Sequence, residues 1–84
     1  MQPIKRSLTG AETIVIPLNH YGEVGVSYYA SSTLVVKALA DRDNVASIIE
    51  TKATATGGNF MYPCDALLVT STVNTDVIVN QYGD

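Results

Sequence analysis

Hydrophobic and polar positions along this chain alternate with a period of two rather than 3.6. Thr13-Ile14-Val15-Ile16-Pro17-Leu18 puts Ile14, Ile16 and Leu18 on one side of an extended segment. Pro17 cannot donate to a ladder and suits an edge. The polar group Asn19-His20-Tyr21-Gly22 supplies a turn, after which residues 24–30 alternate again with Val24, Val26 and Tyr28 on one face. A third apolar run, Leu34-Val35-Val36-Lys37-Ala38-Leu39, leads into Asp41-Arg42-Asp43-Asn44, the most polar tetrapeptide of the chain and a hairpin tip by its spacing. Residues 45–56 form a long strand candidate, with Ile49, Thr51 and Ala53 opposed to Ile48, Glu50 and Lys52, that ends at Gly57-Gly58-Asn59. An apolar connector over 60–64, a strand from Ala66 to Val73 of the kind buried on both faces, a turn at Asn74-Thr75-Asp76 and a last strand from Val77 to Tyr82 complete the pattern.

These elements predict an all-β fold: a small antiparallel β-sandwich or barrel of about six strands over residues 12–84, preceded by an extended, turn-prone arm over 1–11 that contains Pro3 and Gly10. The alternative is an α+β domain with a helix near residues 33–50, because Leu34, Ala38, Val45, Ile48 and Ile49 fall roughly on one helical stripe behind Ser32 as N-cap. Strands are preferred. The tetrapeptide at 41–44 is made of weak helix formers, and the Val-Val and Ile-Ile pairs favour extended backbone.

Composition agrees with strands and adds a second point. The chain holds ten Val, six Ile and nine Thr against six Leu and three Glu. Charged residues are 15% of it, whereas about 25% is usual, so 84 residues carry little solvating charge while burying only about 60–65% of their unfolded surface. One Cys forbids an internal disulfide and a multi-Cys zinc site, leaving oligomerisation among the few remaining routes to stability. The apolar residues on both faces of segments 34–39, 66–73 and 77–79 point the same way, toward a surface covered by another chain.

Charge and chemistry exclude more than they indicate. A net charge of −3 opposes nucleic-acid binding, no run reaches the roughly 18 apolar residues of a membrane span, and Lys5-Arg6 is not followed by the apolar core of a signal peptide. Cys64 as a thiolate nucleophile would need His20, the only histidine, and no third group orients the pair; a buried thiol and an exposed turn residue are the simpler reading. Asp41 and Asp43 flank Arg42 in a turn, where carboxylates bond local amides. Gly22 and Gly25 have neither the helix nor the lysine of a phosphate loop. No enzyme, cofactor or metal is therefore expected. The candidate contact residues are the five tyrosines, Tyr21, Tyr28, Tyr29, Tyr62 and Tyr82, since Tyr joins a large apolar area to a hydroxyl that tolerates water. Of Tyr28 and Tyr29, neighbours in one strand, at most one enters the core.

Three stretches carry a resemblance: residues 34–44, then Gly57-Gly58-Asn59-Phe60-Met61-Tyr62-Pro63-Cys64-Asp65-Ala66-Leu67-Leu68-Val69, then Asp76-Val77-Ile78-Val79-Asn80-Gln81-Tyr82-Gly83. A strand, a polar hairpin tip, a Tyr-Pro entry into an inner strand and a short final strand in this order resemble the small all-β structural proteins of tailed-bacteriophage virions. The resemblance covers about residues 12–83. It implies a capsid decoration or cement protein, often trimeric, on the outer surface of the head, made in the host cytoplasm and bridging major capsid subunits. Other virion roles (head-fibre base, tail or connector) and a small carbohydrate- or peptide-binding β module are the competing expectations.

Overall fold

The computed structural model describes residues 3–19 and 23–83 and is all-β. Its strands are β1 (Ile4–Leu8), β2 (Glu12–Pro17), β3 (Glu23–Ala30), β4 (Leu34–Leu39), β5 (Ile48–Thr54), β6 (Gly57–Phe60), β7 (Ala66–Ser71) and β8 (Thr75–Gly83). They form two antiparallel four-stranded sheets, in the order β1-β8-β3-β6 and β2-β7-β4-β5. Only β4 and β5 are joined by a hairpin within one sheet. Every other connection passes from one sheet to the other, which is the connectivity of a jelly roll.

The structure departs from the sequence reading at four points. Strands number eight rather than six, and segment 33–50 holds no helix among the described residues, because β4 and β5 bracket a turn there. Residues 1–11 are not an arm throughout: Ile4–Leu8 pair with β8, and Leu8 is buried. The Gly57-Gly58-Asn59 segment, expected only to end the preceding strand, is instead the body of β6, paired with Tyr29, Tyr28 and Ser27. Edge strands explain both additions. β1 keeps only Ile4 and Leu8 against the core and exposes Lys5, Arg6 and Ser7, so its alternation is faint. β6 is held by neighbours rather than by propensity.

The core follows the period of two. Leu34, Val36 and Ala38 of β4, Leu67 and Val69 of β7 and Ile16 of β2 face Val26, Tyr28 and Ala30 of β3 and Val77 and Val79 of β8. Phe60 is the largest side chain completely enclosed. The buried polar groups are satisfied: the Ser71 hydroxyl donates to the Gly10 carbonyl at 2.7 Å, and that of Thr75 to Val73 at 2.8 Å. Gly10 has φ +60°, the left-handed backbone that turns the chain out of β1 into β2. At the hairpin tip, the Asp41 carboxylate accepts from the Asp43 amide at 2.9 Å and the Asn44 side chain from the Ala46 amide at 3.0 Å, the local bonding expected of these residues. Arg42 then ties the tip to the start of β7 through a 2.9 Å ion pair with Asp65 and a 2.8 Å bond to the Leu18 carbonyl.

Truncating Phe60 to Ala should cost about 3–5 kcal/mol, a large fraction of the stability of so small a domain. Thermal melting followed by circular dichroism is expected to show a variant unfolded or nearly so at 37 °C; a melt within a few degrees of the parent would refute the placement of Phe60 at the centre of the core.

Candidate interaction surface

The described tyrosines divide into two pairs. Tyr28 is 5% exposed and Tyr29 53%, as the alternation of neighbouring residues requires, so Tyr28 is a core residue and not a contact. Its ring lies 5.6 Å from that of Phe60, and the Tyr62 ring lies 5.9 Å from Phe60. The Tyr62 hydroxyl donates to the Glu50 carboxylate at 2.6 Å. Desolvation, the bond to Glu50 and its negative charge all hold the Tyr62 phenol protonated well above its usual range. Burial and the charge of Glu50 raise that of Tyr28 as well. These two rings serve the fold.

Tyr29 and Tyr82 share the outer face of the β1-β8-β3-β6 sheet. Tyr82 stands opposite Gly25 and Tyr29 opposite Ile78, four residues along β3, which separates the two rings by roughly 13 Å along the strand. Between them runs a polar row across three strands, Asn80 opposite Ser27 and Ser27 opposite Asn59. A Cβ at Gly25 would lie 2.5 Å from the Phe60 carbonyl oxygen and 2.7 Å from the Tyr82 hydroxyl, so glycine is required for the tyrosine to lie flat across its neighbour. The Tyr82 hydroxyl also meets the Met61 sulfur at 3.2 Å. Tyr21 and His20 lie outside the described residues.

A second exposed feature was not among the candidates. Val45, Ile48 and Ile49 are 56, 43 and 49% exposed where the hairpin tip enters β5. The alternation along 45–56 assigns Ile48 and Ile49 to opposite faces, one of them inward. The structure exposes both, because β5 is the free edge of its sheet and the register slips by one residue beside Ala38 and Leu39. Only the excess of β-branched residues just after a polar turn hinted at it.

Cys64 is buried, and desolvation, helped by the charge of Asp65, pushes its thiol up to about 11, away from a reactive thiolate. No group of three or more His, Cys, Asp or Glu among the described residues could hold a metal ion. A groove of about 370 Å³ is lined by Ile4, Pro17, Leu18, Arg42, Val79 and Gln81, but its polar side chains serve the protein: Arg42 bonds Asp65 and Leu18, and Gln81 exchanges bonds with the backbone of Asn19. No family model, curated protein or solved structure matches the chain.

The thiol links stability to pH. Unfolded, Cys64 loses its proton near pH 8.5–9, whereas folded it holds it to about 11. Between those values the folded state binds the extra proton, so stability falls as pH rises through the window, by an amount of order 1–2 kcal/mol. Denaturant titrations at pH 8 and pH 10 should show this loss in the parent and a clearly smaller one in Cys64→Ala. An equal loss in both proteins would contradict the assignment.

Proposed function

We propose that this chain is a non-enzymatic structural protein of a tailed-bacteriophage virion, acting through surface contacts as a capsid decoration protein on the outside of the head. The observation that carries this reading is the division of labour in the fold. Cys64, Tyr28, Tyr62 and the Asp41, Arg42 and Asp65 cluster are taken up by packing and turns, while Tyr29, Tyr82, Met61, Val45, Ile48 and Ile49 are presented to solvent on a two-layer frame. Exposed apolar and aromatic groups of this kind mark surfaces that gain by being covered. The jelly-roll connectivity is compatible with this role, being common to viral capsid, lectin and cupin domains, and by itself selects none of them. In this reading the partners are the major capsid protein and further copies of the chain, and binding to the lattice adds stability that a small domain lacks alone.

A second reading has its own observation. Tyr29 and Tyr82 with Ser27, Asn80 and Asn59 between them make a flat face of aromatic rings and amides, suited to a neutral glycan. The two readings part in simple experiments. The decoration role predicts the chain in purified heads, and heads made without it that break at lower temperature or under milder osmotic shock. Heads that lack the chain, or that are equally robust without it, would overturn the role. Binding of the isolated chain to a glycan array, abolished by Tyr29→Ala, would favour the second reading instead.

A further inference from the structure

We infer that the free edge of β5 is a self-complementary docking strand, and that its occupant is β5 of a second copy of this chain. β5 ends the β2-β7-β4-β5 sheet, and Ile48, Ile49, Glu50, Thr51 and Ala53 are all exposed along it. Two such edges related by a two-fold axis pair antiparallel, and an axis passing at Thr51 brings Glu50 of each copy opposite Lys52 of the other. The Glu50–Lys52 pair is therefore formed twice across the axis. Within one copy the two charges lie 3.9 Å apart with side chains 44 and 34% exposed, so each keeps exposed surface for the second copy beside its contacts with Tyr62 and Asn59. In the same register the exposed Ile49 lies opposite Ala53 of the second copy and Ile48 opposite Thr54, which gives both isoleucines an apolar or β-branched neighbour across the axis. The result is one continuous eight-stranded sheet.

The other three edges do not offer this match. β1 places the cations Lys5 and Arg6 at its centre, so self-pairing brings like charges together. β2 ends in Pro17, which has no N–H to give, and β6 has four residues of which two are glycine. A Glu and a Lys on an edge strand normally repel foreign strands. On β5 their spacing also matches the same strand of a second copy. The inference rests on this edge and not on the virion reading, which can fail on particles while the self-association of the purified chain stands.

The test is a charge swap on the full chain. Sedimentation velocity over a concentration series should show the parent as a reversible dimer. Glu50→Lys or Lys52→Glu alone puts like charges opposite each other twice and should weaken self-association on the order of tenfold or more. An equimolar mixture of the two single variants restores both pairings, so native mass spectrometry should find a heterodimer with one copy of each. The double variant E50K/K52E should dimerise like the parent. Recovery on mixing also serves as the control for folding, since unfolded variants gain nothing from each other. A monomeric parent, a trimer unmoved by either swap, or a mixture without heterodimer would each overturn the inference.

Discussion

The two sheets are held at their spacing on the β5/β6 side by one ring. The chain has a single Phe and no Trp, so Phe60 is the largest rigid apolar group available to fill the space where β6 ends. Tyr28 from the opposite strand packs on it, Tyr62 follows it in sequence and folds back against it, and the Lys52 ammonium of the facing sheet sits 5.0 Å from its centroid. Lys52 in turn donates to the Asn59 carbonyl, and Glu50 receives the Tyr62 hydroxyl. The open side of the sandwich is thus closed by charged groups on an apolar ring. That arrangement lets Glu50 and Lys52 lean inward over the core while keeping their charged ends in water.

The strand pairing has a simple order beneath its crossings. β1 pairs with β8, β2 with β7, β3 with β6 and β4 with β5, so the chain is one long hairpin bent at residues 40–47 and then rolled. Ile4 lies opposite Val79 and Glu12 opposite Ser71, eight residues onward on one arm and eight back on the other, so both ladders keep one register across the crossing. Rolling adds the β3-β8 and β4-β7 pairings that complete the sheets. Gly10 turns the chain at one of these crossings, where its amide and carbonyl are taken by Asn74 and Ser71 from the opposite arm.

Much of this was legible and some was not, for reasons that can be named. The alternation of Val24, Val26 and Tyr28 announced β3 and its buried face except at Val24, which the irregular register beside Gly25 leaves exposed, while the apolar run Leu34–Leu39 announced a strand but not that Leu34, Val36 and Ala38 form its buried face. The bend at Asp41-Arg42-Asp43-Asn44 was announced by its own side chains. β1 was not, because an edge strand needs only one inward residue in two and Ile4-Lys5-Arg6-Ser7-Leu8 has little else. β6 was hidden by its glycines, whose use is close approach to Tyr28 rather than a turn. The division of the tyrosines shows the same limit. That one of Tyr28 and Tyr29 points inward follows from the strand period, but that Tyr62 is bound to Glu50, twelve residues earlier, follows only from the roll.

The nested order also sets a timetable for folding. β4 and β5 are the only partners that are near neighbours in sequence through a short turn, so their hairpin closes at the lowest entropic cost, and each outer pair must close a longer loop than the last. On a ribosome adding about 5–20 residues per second, β1 waits several seconds for Thr75 to Val79 to emerge. Through that interval Leu8, Ile16 and Val26 are carried by a chain that cannot yet bury them. The first element complete is the β4-β5 hairpin, one of whose two edges, β5, carries Glu50 and Lys52. The nascent chain therefore exposes its best-formed edge with the charges that turn away foreign strands already in place.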